Sequence, residues 1–205
     1  MSKKERLSEF NRKNILETTK QLFLKKGITQ TTMDGIAREA EYSKSTIYVY
    51  FKSKDEIYNH IILEHIEILK TRIRQALTSS QGFPDGYFAV CNTLVDYYNT
   101  NPLYFESILG EIQIPKDESE TVLAQIYEVG EEINLIIEEY IKACLLKKQM
   151  RSALPPLQTT FTLWAALSGI ITLADKKEAY INNAMKITKE EFMRNGFELL
   201  LESLT

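Results

Sequence analysis

Cysteine, histidine, proline and glycine are all scarce in this chain of 205 residues, which holds 2 Cys, 2 His, 5 Pro and 8 Gly. Two cysteines, Cys91 and Cys144, cannot build a disulfide framework and read as buried thiols of a reducing compartment. So little glycine and proline excludes a collagen-like, linker-rich or turn-dense all-β chain. The two histidines, His60 and His65, are five positions apart. On a helix they point about 140° away from each other and cannot chelate one ion together. No metal site and no cofactor are expected. G-x-S-x-G, P-loop and H-E-x-x-H patterns are also missing, so catalytic residues are expected to be none. No apolar run is seen to approach the roughly 18 residues of a membrane span. The opening MSKKERLSEF carries charge without an apolar segment behind it, so no secretory signal is expected. The expectation is a cytoplasmic protein with no membrane partner.

What the chain does have is an apolar fraction of 44%, ample for a core, and an uneven charge distribution. Residues 1–58 hold 12 Lys and Arg against 8 Asp and Glu, a net of +4; the remainder holds 13 against 20, a net of −7, within an overall −3. A basic head on an acidic body suggests that only the head meets a polyanion. An excess of four over 58 residues is modest, and charge alone does not decide the matter.

Apolar spacing is helical nearly throughout. Ile15, Thr19, Leu22 and Phe23 form one stripe on a first helix of about residues 8–26, closed by Lys25, Lys26 and Gly27. Thr31-Thr32-Met33-Asp34 offers a capping box for a short helix that turns Ile36, Ala37 and Ala40 inward. Ser43 caps a third helix to about Tyr50, and Ser53-Lys54-Asp55-Glu56 opens a long fourth one to about Leu77. Residues 78–86, TSSQGFPDG, read as the clearest loop, and Asn101-Pro102 as a helix start. From Asp117 to Gln149, Val122, Ile126, Val129, Ile133, Ile136, Tyr140 and Cys144 predict one long helix. Pro155-Pro156 begins a helix that is apolar nearly all round and is expected to be covered on every side. Thr188 to Glu191 is a further capping box, ahead of a last helix carrying Phe192, Gly196, Leu199 and Leu200. The predicted fold is all-α with about nine helices: a three-helix head over 1–52 and a larger helical body over 53–205.

Three short-to-medium helices with a tight turn, Glu41-Tyr42-Ser43, between the second and third are the parts of a helix-turn-helix. In that motif the third helix enters the major groove, about 12 Å wide, N-terminal end first. In SKSTIYVYF, Ile47 and Phe51 can anchor to Ile36, Ala40 and the first helix, leaving Lys44, Ser45, Thr46 and Tyr50 outward. Short hydroxyls and a lysine donate to phosphates or base edges without filling the groove. Arg12 and Lys13 could also reach phosphates, although a solvated face is the plainer expectation for both.

The run from Ile15 to Ile57 resembles the DNA-binding domain of tetracycline-repressor-like (TetR) regulators. The resemblance is carried by ILETTKQLFLKKG on the first helix, TT-x-D-x-IA-x-x-A on the second, SK-x-T-x-Y-x-x-F on the third and SK-x-E opening the fourth. Each fragment is weak alone; four in order over 43 residues are specific. Position by position, the resemblance implies DNA contacts at Thr32, Ser43, Lys44, Thr46 and Tyr48, and a phosphate contact by Lys54 at a helix N-terminus. Val49 and Tyr50 match positions that vary in the family and help set operator sequence. Glu41 and Ser45 stand where glycine is common, and a carboxylate at 41 is unfavourable near phosphates unless it points away or pairs with Arg38 or Lys44.

The body is rich in aromatic residues, which at helical spacing serve a core as readily as a ligand cavity. The resemblance implies a pocket between the long helices, and the expected lining is Tyr97, Tyr104, Phe105, Tyr127, Cys144 and Trp164. Ala165 with Gly169 and Gly196 with Leu200 allow close helix approach, and Leu199, Leu200 and Leu201 exceed what one face buries. A second chain is the natural cover, giving an isologous four-helix dimer interface. The expected protein is a homodimeric regulator of transcription, a repressor that binds a pseudo-palindromic operator in double-stranded DNA and is released by a small, largely apolar effector. The alternatives are an all-α carrier or enzyme with a vestigial head, and a protein-binding helical scaffold.

Overall fold

A computed structural model describes residues 2–108 and 121–205. Among the described residues there are ten α-helices, one more than expected, and a π-helical turn at Ile181–Met185. The helices are α1 Lys3–Lys26, α2 Met33–Glu39, α3 Lys44–Tyr50, α4 Lys54–Thr78, α5 Phe83–Thr100, α6 Pro102–Ile108, α7 Val122–Leu146, α8 Pro156–Lys176, α9 Glu178–Tyr180 and α10 Lys189–Glu202. By packing, the chain divides into two compact units: Met1–Ile66 with Glu106–Tyr127, and Glu67–Phe105 with Glu128–Thr205.

In the first unit, α1 begins at Lys3 rather than near residue 8. Ser2 Oγ accepts from the Glu5 amide at 3.2 Å while the Glu5 carboxylate accepts from the Ser2 amide at 2.8 Å. That box sustains a helix start whose residues 2–10 are all exposed. Only from Ile15 onward does α1 bury a stripe, with Thr19, Leu22 and Phe23. Gly27 stops the helix at φ 80°, its amide reaching Phe23 O at 2.9 Å. The cap of α2 is Thr32, which accepts from the Gly35 amide; Thr31 instead donates to Gly27 O. Ile36, Ala37 and Ala40 are buried as expected. Between α2 and α3, Glu41 takes φ 59°, a left-handed conformation that costs a non-glycine residue energy. The glycine preferred at that turn position thus has a geometric cause.

In the second unit, α8 packs on α10, and both pack on α5. The loop before α5 is shorter than expected, because α5 starts at Phe83 with Pro84 in its first turn. Two glycines mark close approaches. A Cβ on Gly86 would lie 2.1 Å from the Tyr140 hydroxyl, and one on Gly196 would lie 3.1 Å from Ile170 Cδ1. On α7 the buried positions include Ile126, Val129, Ile133, Ile137, Ile141 and Cys144, so Ile137 takes the place expected of Ile136. Residues 117–120 of that predicted helix lie outside the described residues.

Helix α8 corrects two expectations. By length and composition it is long and apolar enough to cross a membrane. It is also not covered all round: Leu157, Phe161 and Leu173 are exposed, with Ala165 and Gly169 between them. These five recur every fourth residue and form one stripe. The inner face buries Leu167, Ile171 and Ala174, and its buried Thr159, Thr160 and Ser168 donate to backbone carbonyls of their own chain segment.

Candidate functional site

The turn and α3 carry most of the predicted DNA-contacting residues on exposed surface. Ser43 caps α3, its hydroxyl accepting from the Thr46 amide at 3.0 Å and lying 2.8 Å from Ser45 Oγ and 2.7 Å from Thr46 Oγ1. Ile47 and Phe51, on the opposite side, are buried. Lys44, Ser45 and Tyr48 are exposed, as is Val49 at 78%. Lys44 Nζ sits 2.7 Å from the Asp34 carboxylate in the first turn of α2. The hydrogen bond from Lys44 to Asp34, and then the carboxylate charge, raise the lysine pKa and hold it protonated. This ion pair sets the start of α2, with its exposed cap Thr32, beside the start of α3. So Thr32, Ser43, Lys44, Ser45, Thr46 and Tyr48 gather on one helix-turn-helix. Glu41 is exposed, and the carboxylate that pairs with Lys44 is Asp34.

Two predicted contact residues are placed differently. Tyr50 does not stand free: its hydroxyl accepts from Asn11 Nδ2 at 3.0 Å, and Asn11 Oδ1 accepts in turn from the Tyr42 hydroxyl at 2.9 Å. Lys54 Nζ donates to Ile28 O at 2.9 Å, tying the first turn of α4 to the link between α1 and α2. Its charge stays at a helix N-terminus, but one of its three donors is spent on the fold.

Arg12, in place of a solvated position, is the hub behind α3. It contacts His60 Nε2 at 2.6 Å, donates to Tyr50 O at 3.4 Å and lies 4.5 Å over the Phe51 ring. His60 therefore pairs with Arg12 and not with Glu64, which instead binds Lys20 at 2.9 Å. Burial first, then the Arg12 charge, push the His60 pKa below the ordinary imidazole value. A neutral ring is what an arginine donor requires there. No periodic pattern links residue 12 to 50, 51 and 60; nothing in the sequence signals this hub.

The second unit contains an apolar cavity of about 40 Å³, walled by α5, α7, α8 and the end of α4. Its lining includes Leu77, Phe83, Tyr87, Val90, Leu94, Ile137, Tyr140, Ile141, Thr160, Leu163, Trp164 and Leu167. Of the six residues expected to line a pocket, Trp164 does so. Tyr97, Tyr104, Phe105 and Cys144 are buried elsewhere in the same unit, and Tyr127 is 47% exposed and belongs to the first unit. Tyr87 and Tyr140, the two wall tyrosines, carry no distinguishing signal in the sequence, because i, i+4 spacing does not separate cavity from core. Trp164 Nε1 is buried without a hydrogen-bond partner. Burial pushes the Cys91 thiol up to about 12 and raises that of Cys144, so neither is a reactive thiolate. Among the described residues no group of His, Cys, Asp and Glu is arranged to hold a metal ion.

Of the four expected interface residues, Ala165 and Gly169 lie on the exposed stripe of α8, and a Cβ on Gly169 would meet nothing within 4 Å. Gly196 is used inside the chain, against Ile170 of α8, and Leu200 is half-buried.

Comparison with known proteins agrees with this geometry. Residues 15–61 match the model of the family described as bacterial regulatory proteins, tetR family. Over 162 residues the chain is 26% identical to an uncharacterized HTH-type transcriptional regulator, YhgD, of Bacillus subtilis, covering 79% of this chain and 81% of that protein. A transcriptional regulator of the TetR/AcrR family from Thermobifida fusca superposes with a TM-score of 0.69 at 18% identity, over 93% of this chain and 96% of the other. The regulator FadR from Bacillus subtilis, solved in complex with stearoyl-CoA, superposes with a TM-score of 0.66 at 16% identity, over 92% and 96% of the two chains.

Proposed function

From the premise that this chain belongs to the tetR family of bacterial regulatory proteins, and so is a helix-turn-helix transcriptional regulator and not an enzyme, we propose that it acts as a homodimeric repressor. It binds a pseudo-palindromic operator and is released by a largely apolar effector. As a regulator of transcription it works in the cytoplasm, where bacterial DNA lies. Residues 1–52 form the DNA-reading part and 53–205 the effector and dimerisation part.

The observation that carries this reading is the build of α3. Its inner face is anchored by Ile47, Phe51 and the Arg12 hub, while Lys44, Ser45, Tyr48 and Val49 project outward. Hydroxyls and a lysine presented on a rigid short helix suit phosphate and base-edge contacts. Lys54 retains charge at the start of α4 and supplies a further phosphate contact. Thr32, Ser43, Thr46 and Tyr48 complete the set.

Dimerisation is supported by the stripe Leu157, Phe161, Ala165, Gly169 and Leu173, an exposed apolar face whose small central residues admit a second helix. A second copy of α8, with Leu199 and Leu200 of α10 at its flank, covers it in an isologous bundle.

The effector occupies the cavity of the second unit. A neighbour of the same fold is complexed with stearoyl-CoA, which supports an acyl chain as the kind of apolar group accepted. At about 40 Å³ the cavity holds only a few water-sized groups, so an acyl chain must part α5, α7 and α8 on entry. Leu77, near the end of α4, is in the cavity wall, while Lys54 at the other end of α4 is bonded to Ile28 O. Displacement of α4 alters the spacing of paired recognition helices, which must match one DNA turn of about 34–36 Å or a multiple of it. An energy difference of a few kcal/mol between the two spacings suffices for release. The test is affinity for DNA flanking the protein's own coding region, with and without stearoyl-CoA. Tight binding that the acyl compound weakens is the expected result. Equal affinities remove effector control by this class, and absence of sequence-preferring binding removes operator recognition.

A further inference from the structure

The chemistry of the cavity wall narrows the ligand beyond "apolar". None of the wall residues is charged. Its three hydroxyls have already placed their protons: Tyr87 donates to Phe197 O at 2.9 Å, Tyr140 to Gly82 O at 2.6 Å and Thr160 to Pro156 O at 3.0 Å. The one polar hydrogen left without an acceptor is the indole N–H of Trp164, whose nitrogen is buried. A buried donor with no acceptor is an uncommon and unfavourable arrangement in a native interior. Here it belongs to a wall residue of the only strongly apolar cavity identified among the described residues.

We infer that Trp164 is the polar recognition residue of this cavity and that its ligand is an uncharged molecule bearing a hydrogen-bond acceptor, a carbonyl of an ester, thioester or ketone, on an apolar chain. The inference rests on the cavity being the effector site proposed above and specifies what that site selects. The acceptor meets the Trp164 N–H, while the chain lies against Phe83, Val90, Leu94 and Leu163. A carboxylate or an ammonium group is rejected, because the wall offers no counter-charge to replace lost hydration. A hydrocarbon enters but leaves the indole donor unmatched. The three hydroxyl oxygens retain lone pairs, yet a ligand donor is not required to complete any of them.

Trp164 is the one tryptophan of the chain, so its emission reports directly on the cavity. Four probes of equal chain length separate the effects: 2-octanone, octane, octanoate and octylammonium. The ketone is expected to shift Trp164 emission saturably and to bind about fivefold more tightly than octane, the worth of one neutral hydrogen bond. Both ions should bind more than about tenfold more weakly than the ketone. In Trp164→Phe the ring is kept and the donor removed; displacement of the neutral dye N-phenyl-1-naphthylamine should then show ketone and octane binding alike. Equal binding of ketone and octane by the native protein overturns the inference, as does an ion binding as tightly as the ketone. So does a Trp164→Phe protein that keeps the preference, or a native protein that none of the four probes perturbs. Operator affinity measured in the same samples separates the two readings. Ketone selectivity without any change in DNA binding upholds the acceptor site and removes effector control, whereas release of DNA by octane and ketone alike does the reverse.

Discussion

The two compact units rely on different physics. Around α3, position is fixed by directional polar contacts: Arg12 to His60 and Tyr50 O, Asn11 to Tyr50 and Tyr42, Lys54 to Ile28 O. The second unit relies on steric fit, with Tyr140 against Gly86 and Ile170 against Gly196 around an apolar cavity. Directional bonds specify one orientation, which a helix that must read base edges needs. Apolar packing constrains volume and tolerates rearrangement, which a bundle that must admit a ligand needs. The difference teaches that rigidity and adaptability are assigned to separate stretches of one small chain.

The contrast is broken most severely at Gly86. Alanine there forces Tyr140 out of its place and off Gly82 O, and we expect a loss of about 3 kcal/mol, read from the urea midpoint. An unchanged midpoint means the second unit yields more easily than its packing implies. Arg12→Ala is the counterpart in the first unit. It removes two polar contacts and a cation–π contact, and about 2 kcal/mol of stability should go with them. DNA affinity should fall with it, since α3 is deprived of its support; a variant as stable and as tight-binding as the native protein removes the hub from the account.

Acid should find the same weak point. His60 and His65 both have depressed pKa values, so the unfolded chain binds protons more readily than the folded one. Their contribution to stability is present above the unfolded value of about 6.5 and is lost as pH falls through the lower folded values. Urea midpoints should decline below about pH 6.5 in the native protein and decline less in His60→Gln, which keeps an acceptor for Arg12. Parallel pH profiles for the two proteins remove His60 from that role.

A finer cut compares two lysines. Lys44→Ala and Lys54→Ala should each make log K against log salt shallower, by roughly one unit for every phosphate left without its cation in a half-site. Lys54→Ala should also lower the urea midpoint, because its ammonium bonds Ile28 O, while Lys44→Ala should leave stability nearly unchanged, its Asp34 pair being well exposed. The smallest expected effect is at the turn: Glu41→Gly relieves a left-handed φ of 59°. A gain of about 1 kcal/mol is expected, less the added flexibility of the unfolded chain. A loss of stability would mean that Glu41 makes a compensating contact.

The same contrast governs what is legible in the sequence. The helix starts at Ser43, Pro102 and Thr188 and the inward turn of Ile36, Ala37, Ala40 and Ile47 follow from local spacing and capping, and they are found as expected. The six helix-turn-helix residues from Thr32 to Tyr48 also gather as the pattern implies. Long-range bonds are invisible to such reasoning: Arg12 and His60 are 48 positions apart, and Tyr87 reaches Phe197 across 110. Aromatic position in the second unit is equally unreadable. Tyr97 and Tyr140 are the same residue at the same kind of helical spacing, yet one is core and the other lines the cavity. The exposed side of α8 is hidden for a related reason: an apolar helix looks alike whether its cover is its own chain or another.

Helix α4 has a mechanical consequence of its own. Its 25 residues form one unbroken helix, from the Lys54 anchor to a wall of the ligand cavity near Leu77. Such a rod is about 37 Å long. Tilting it by about 5° swings one end by about 3 Å relative to the other, nearly the rise of one base pair along a duplex. A displacement too small to disturb any hydrogen bond at the cavity is thereby geared up to a full step of the DNA ladder at the far end.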